Sequence, residues 1–158
     1  MTIEVRVARA ADASAACAAV RASIIELCET DHQNDPATLA AWLANKTSAN
    51  FAQWISAPTH CARVALLGGE VAGFGLLNLS GSIALLYIGP TARFRGASTA
   101  LLLELEAAAR AHDLARLTLK STTTARSFYR SRGYRLVGPA EPGFGITLGH
   151  PMARDLNE

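Results

Sequence analysis

Tyr87-Ile88-Gly89-Pro90-Thr91-Ala92-Arg93-Phe94-Arg95-Gly96-Ala97-Ser98-Thr99-Ala100-Leu101-Leu102 changes character twice. An apolar strand ends at Gly89-Pro90, a short basic loop follows, and an apolar helix opens behind it. The first N–H groups of a helix have no partner inside it, and the aligned peptide dipoles make that end positive. Gly96 lets a ligand come close to the backbone. Ala97, Ser98 and Thr99 are small, while Arg93 and Arg95, on either side of Phe94, add positive charge. The turn from Arg93 to Ser98 is therefore expected to cradle an anion at a helix start. The P-loop pattern, which needs Gly-Lys-Ser/Thr, is absent. So is the three-glycine fingerprint of the dinucleotide fold. ATP and NAD are disfavoured as the ligand.

Working outward, Ile83 to Ile88 is an almost unbroken apolar run, which predicts a central strand buried on both faces. Gly68-Gly69 is a two-residue hairpin signal between strands at 61–67 and 71–79. Ser80-Gly81 turns again, so three strands form an antiparallel meander. Upstream, Ile3, Val5 and Val7 alternate with polar residues as in a half-buried strand. Asp12 is the expected N-cap of a helix carrying Cys17, Val20, Ile24 and Leu27 and running to about Glu29. Asp35-Pro36 starts a second helix with Leu39, Trp42 and Leu43 on its apolar side. A short third helix holds Phe51, Trp54 and Ile55.

Downstream of the turn, Leu101, Leu105, Ala108 and His112 form one helical stripe, with Leu102 and Ala109 beside it. Glu106 and Arg110 are spaced for an i,i+4 ion pair. Leu117 and Leu119 alternate in a strand. Residues 123–132 form a helix with Gly133 as its C-terminal cap, and strands follow at 134–137 and 146–152. The order predicts a single α+β domain over residues 1–158, a three-layer α/β/α arrangement around a mixed, mostly antiparallel sheet.

The bulk properties narrow the class. The chain has 158 residues, half of them apolar and 18% charged, a globular composition. A net charge of +2 is too small for a nucleic-acid-binding protein, where a strong basic excess is expected. Arg116, Lys120, Arg126, Arg130, Arg132 and Arg135 lie close together in sequence with no acidic residue between them. They form either a patch for a polyanionic small molecule or a solvated face. Cys17, Cys28 and Cys61 follow no paired spacing, and Cys17 and Cys28, read on one helix, lie roughly 16 Å apart. No disulfide is expected, and the chain suits a reducing cytoplasm. No apolar run approaches the ~20 residues that span a bilayer, so no membrane association is expected. His60, His112 and His150 have no metal-ligand spacing, and no metal is expected.

The turn resembles the cofactor motif of the GNAT acetyltransferases, Arg/Gln-x-x-Gly-x-Gly/Ala. Arg93 and Gly96 match it, and Ser98 departs at its last position. Leu101-Leu102, Glu106 and Ala109 resemble the helix of that family. Ala125, Phe128-Tyr129 and Gly133-Tyr134 resemble its later Ala-x-x-Phe-Tyr-x-x-x-Gly-Phe/Tyr segment, with Thr122 where an asparagine is often found. The resemblance covers the whole chain by element order and residues 83–137 by motif.

The resemblance implies an acyl-CoA N-acyltransferase fold with acetyl-CoA as acetyl donor. It implies that the N–H groups from Arg93 to Ser98, with Thr99 adjoining, hold the diphosphate. It also implies that the main chain of Tyr87 and Ile88 bonds the pantetheine in a splay between two parallel strands, with Thr122 across from it. The reaction implied is direct attack by an amine on the thioester, an N–H near Ile88 stabilising the oxyanion and Tyr129 protonating the departing thiolate. Tyr129 has the alternative role of a packing tyrosine. Asp31 and His32 fall where the family builds its acceptor pocket; they also read as an ordinary turn. No general base is evident. The acceptor is expected to be a small-molecule or peptide amine, and a homodimer joined through the last strands is possible within the family. A catalytically silent acyl-CoA-binding module on the same fold is the alternative; a nucleic-acid-binding protein is a third reading.

Overall fold

The computed structural model describes residues 2–157. The elements are β1 (Ile3–Val7), α1 (Ala13–Leu27), α2 (Glu29–His32), α3 (Pro36–Leu43), α4 (Ser48–Ser56), β2 (His60–Leu67), β3 (Glu70–Asn78), β4 (Ser82–Ile88), α5 (Ala97–Ala111), β5 (Arg116–Ser121), α6 (Arg126–Ser131), β6 (Arg135–Leu136), β7 (Glu141–Pro142) and β8 (Leu148–Asp155). The expected α+β class and the mixed, mostly antiparallel sheet are what the chain forms. The sheet runs β1-β2-β3-β4-β5-β8-β6, with β7 also paired to β8. Every neighbouring pair is antiparallel except β4 and β5.

Both faces of the sheet are covered. Val20 and Ile24 of α1, Trp42 of α3 and Phe51 of α4 pack with Val64, Phe74 and Leu76 on one side. Leu102 and Leu105 of α5 pack with Leu77, Leu117, Met152 and Tyr134 on the other, and Tyr129 of α6 joins them. The hairpin at Gly68-Gly69 forms as predicted, both residues having positive φ (58° and 83°), the conformation that a two-residue turn demands. Among the described residues, no helix is long and apolar enough to cross a membrane.

Several expectations are corrected. β4 is not buried on both faces: only Ile83 is buried along it, and Ala84 is exposed. The cause is a bulge. Leu77 lies opposite Ile83 and Leu76 opposite Leu85, so Ala84 is an extra residue on β4. A bulge bends its strand and breaks the ladder. β4 and β5 share only the pair Ser82 and Thr118, with the Thr118 N–H donating to the Gly81 carbonyl at 3.0 Å. Beyond that pair the two parallel strands diverge.

Glu106 does not pair with Arg110. It is 1% exposed, 2.6 Å from Arg154 Nη1, and accepts a 2.9 Å hydrogen bond from the Tyr134 hydroxyl. The helix turns Glu106 inward, where an i,i+4 partner on the outer face cannot follow. His112 is exposed, its Nδ1 lying 2.9 Å from the Ala108 carbonyl beyond the end of α5. Asp12 does not cap α1 through its side chain. Its carboxylate is held by Arg6 at 2.7 Å and by the Arg9 N–H at 2.7 Å, which together keep it below the usual carboxylate range. α1 ends at Leu27, two residues before the expected point. The basic run from Arg116 to Arg135 is partly neutralised by acids from other strands: Arg116 and Arg135 both reach Asp155, and Lys120 reaches Glu141.

Candidate active site

The divergence of β4 and β5 opens a slot in the sheet. One cavity, of about 230 Å³, runs into it past Ser23, Leu27 and Cys28 on the α1 side, Ser98 at the start of α5, and Phe128 and Tyr129. A second, of about 410 Å³, reaches it past Trp42, Lys46, Trp54 and the segment 142–149. Ala84, Leu85, Tyr87, Lys120, Ser121 and Thr122 line both. The two cavities thus share the lining at the bulge, while their other walls come from different elements. The main-chain N–H and C=O groups of β4 past Ile83 that face β5 have no strand to pair with. Such groups seek partners, which suits a ligand carrying amide bonds.

At the head of the first cavity the Arg93–Ser98 turn has the geometry that its sequence predicts. Gly96 is left-handed (φ 77°) and caps α5, and a Cβ built there meets nothing within 4 Å. The space over the backbone is open. The first α5 bond is Ala100 N–H to the Gly96 carbonyl at 3.0 Å, so the N–H groups of Ala97, Ser98 and Thr99 have no partner within the helix. Phe94 is also left-handed (φ 64°) and 90% exposed, with the Arg93 guanidinium 4.7 Å over its ring. Arg93 and Arg95 are exposed. An oxygen-rich anion fits this cradle, and the unpaired β4 edge leads from it to the slot.

Tyr129 stands at the slot. Its ring is held edge-on between Phe128 and Tyr134, 5.3 and 5.6 Å away. Among the described residues its hydroxyl has no side-chain hydrogen bond. Burial pushes its pKa up, so the hydroxyl keeps its proton throughout the neutral range. Tyr87, shared by both cavities, is raised in the same direction, first by burial. Cys28 is pushed up to about 12, by burial and then by Asp31, and its thiol stays neutral. Thr122 lines both cavities, and its hydroxyl accepts the Ala125 N–H at 3.0 Å, fixing the entry to α6.

Asp31 and His32 line neither cavity. Asp31, 5% exposed, accepts hydrogen bonds from the Thr123 N–H at 2.7 Å, the Thr124 N–H at 3.2 Å and the Thr124 hydroxyl. His32 is fully buried. Its Nε2 donates to the Ile24 carbonyl at 2.9 Å while its Nδ1 accepts the Asn34 N–H at 2.9 Å. His32 closes the end of α1, and Asp31 anchors the loop that precedes α6. His150, read in sequence as isolated, lies 2.9 Å from the Thr123 hydroxyl in the same loop. Burial and Arg126 lower its pKa.

The second cavity combines Trp42 and Trp54, read in sequence as core or pocket wall, with Lys46 and the segment 142–149, to which sequence reading gave no part in a site. The segment 142–149 folds onto α3. The Ile146 N–H donates to the Thr38 hydroxyl at 3.1 Å, and that hydroxyl donates to Asp35 at 2.7 Å. Gly145 (φ 51°) lies so close to Thr38 that a Cβ there would overlap its side chain. This close approach stacks Phe144 on Trp42 with centroids 6.2 Å apart and planes 14° from parallel. Beneath them lies Lys46, 3% exposed, its Nζ 2.7 Å from Asn45 Oδ1, 3.3 Å from the Trp42 carbonyl and 5.1 Å from the Phe144 ring centroid. Burial lowers its pKa to about 8. No spacing rule links these residues, because they come from three separate stretches. Nothing in the sequence around Lys46, three residues beyond Leu43, marks it as buried.

Residues 29–156 match the Acetyltransferase (GNAT) domain family, and the chain belongs to that family, whose members use acetyl-CoA. None of the curated proteins compared with the chain matches it. Among solved structures, it is similar to a GCN5-related N-acetyltransferase from Rhodopseudomonas palustris, whose description also carries the words "Aminotransferase, Class-II". That pair shares 26% identity over 98% of this chain and 96% of the other, with TM-score 0.86. It shares its fold with PaiA N-acetyltransferase from Thermoplasma acidophilum in complex with coenzyme A (18% identity, 98% and 99% of the two chains, TM-score 0.80). It also shares its fold with yncA from Salmonella typhimurium with acetyl-CoA (18% identity, 100% and 96%, TM-score 0.76).

Proposed function

We propose that the chain is an N-acetyltransferase that moves acetyl from acetyl-CoA to a primary amine of a small molecule or peptide by direct attack. The observation that carries this reading is the pair of cavities that share the β4–β5 slot as lining, one of them beside Tyr129. Acetyl-CoA, when bound, supplies a thioester whose carbonyl carbon bonds to the amine nitrogen as the C–S bond breaks. The N–H groups from Arg93 to Ser98, with Thr99, would hold the diphosphate, and the free β4 edge at Tyr87 and Ile88 the pantetheine. A β4 N–H pointing into the slot is placed to stabilise developing negative charge on oxygen. Tyr129 would give its proton to the leaving sulfur, and the proton shed by the amine nitrogen, passed through solvent, would restore the phenol. A neutral Cys28 thiol is a poor nucleophile, which favours direct attack over a route through an acyl-cysteine.

Three free cysteines fit a reducing cytoplasm. The exposed Leu136, Val137, Ile146 and Leu148 near the last strands are the surface on which a homodimer would form. The test of function is release of CoA thiol from acetyl-CoA on addition of amino acids, polyamines, aminoglycosides or peptide N-termini. Acceptor-dependent release supports the reading. Binding of acetyl-CoA with no release by any acceptor supports a silent acyl-CoA-binding module instead.

A further inference from the structure

We propose that the acceptor carries a carboxylate beside an apolar or aromatic body, and that Lys46 binds this carboxylate within the second cavity. The inference rests on the acetyltransferase reading and names its substrate class. A cavity of about 410 Å³ is the size of a small-molecule site. Its walls include Trp42, Trp54 and Phe144, and no aspartate or glutamate lines it. Polyamines and aminoglycosides need carboxylates to balance their charge, so the lining disfavours polycations.

The charges that are present have the opposite sign. Lys120 is exposed and already paired with Glu141 at 2.9 Å. Lys46 is buried, and among the described residues no carboxylate lies within ion-pair distance of it. Its neighbours are the amide oxygen of Asn45, a carbonyl and an aromatic ring, all neutral. The other cation packed against this corner, Arg21 of α1, donates to the Lys46 carbonyl at 2.9 Å and adds positive charge. A buried cation without a counter-ion is costly. A ligand carboxylate would offset that cost, with the indole and phenyl faces taking its apolar part. The lowered pKa agrees: Lys46 lacks a neighbouring negative charge that would raise it, yet stays mostly protonated at neutral pH.

The test is binding of 3-phenylpropionate and of 3-phenylpropionamide to the CoA-loaded protein, followed by tryptophan fluorescence. The two probes share one apolar body and are close in size, but one carries a charged, acceptor-only carboxylate and the other a neutral amide. The carboxylate should bind about tenfold tighter than the amide, the scale of one charge-assisted contact. Lys46→Met should bring the ratio to about one, and Lys46→Arg should keep most of it. The unsubstituted protein gives an independent arm. Between about pH 7 and about pH 10 its carboxylate preference should fall as Lys46 loses its proton. The other titratable or charged groups facing the site are Arg21, the Lys120–Glu141 pair, His60 and Tyr87. Equal binding of both probes, binding of neither, or a Lys46→Met variant that weakens both equally overturns the proposal. Probe binding requires no acetyl transfer, so its failure is separate from failure of the thiol-release assay.

Discussion

Asp31 accepts a 2.7 Å hydrogen bond from the main-chain N–H of Thr123, ninety-two residues along the chain. The contact joins α2 to the loop that launches α6, and α6 carries Tyr129. Asp31 thus anchors the loop from which α6 starts. Asp31→Asn turns an acceptor-only group into one that meets the N–H groups with an NH2, and should cost about 2 kcal/mol of stability. Urea unfolding would show it as a lower midpoint with unchanged slope. If Asp31 also sets the place of Tyr129, kcat should fall while the KM for acetyl-CoA holds. Unchanged stability would remove Asp31 from this role.

Tyr129→Phe keeps the ring packing between Phe128 and Tyr134 and removes only the hydroxyl. It should lower kcat about a hundredfold, the usual scale of a lost general acid, with acetyl-CoA affinity unchanged by calorimetry. Because burial raises the Tyr129 pKa, the proton should still be present where an ordinary phenol has lost it. Activity should therefore show no Tyr129-dependent decline near pH ~10.

Gly96→Ala places a methyl on a left-handed residue and into the open space above the cradle. The backbone strain should cost about 1 kcal/mol. The larger effect should be on CoA, whose diphosphate must approach the same backbone, with affinity falling about tenfold or more. Ser98→Gly, one residue into the helix, should tighten CoA binding. Looser binding in titration would make the serine hydroxyl a ligand in its own right.

Lys46 also makes stability depend on pH. Its folded pKa, about 8, lies below the ordinary lysine value of 10.5, so between these two values the unfolded chain binds more protons than the folded one. Stability should rise with pH across that window, the cost of the buried cation being fully present below it. Lys46→Met should flatten this part of the curve in denaturant titrations, and an identical slope in the variant would overturn the assignment.

Much of the fold was legible because it rests on local signals. Gly68-Gly69 declared the hairpin, Asp35-Pro36 the start of α3, and Gly96 with small residues the start of α5. The first cavity was legible for the same reason: the turn and the Tyr129 segment are each contiguous motifs. The second cavity was not, because Lys46, Trp54 and Phe144 meet only after the 142–149 segment docks on Thr38. Periodicity likewise placed Glu106 on α5 but could not show that Arg154, on the last strand, would claim it. The apolar run of β4 suggested a two-sided strand, and nothing in six apolar residues announces that Ala84 has no partner.

That one unpaired alanine has a kinetic consequence. If each ligand has its own doorway to the slot, neither blocks the other's path, and both can be present together. Free CoA should then compete with acetyl-CoA for one entrance while leaving the amine's untouched, and initial-rate plots against the two substrates should intersect rather than run parallel.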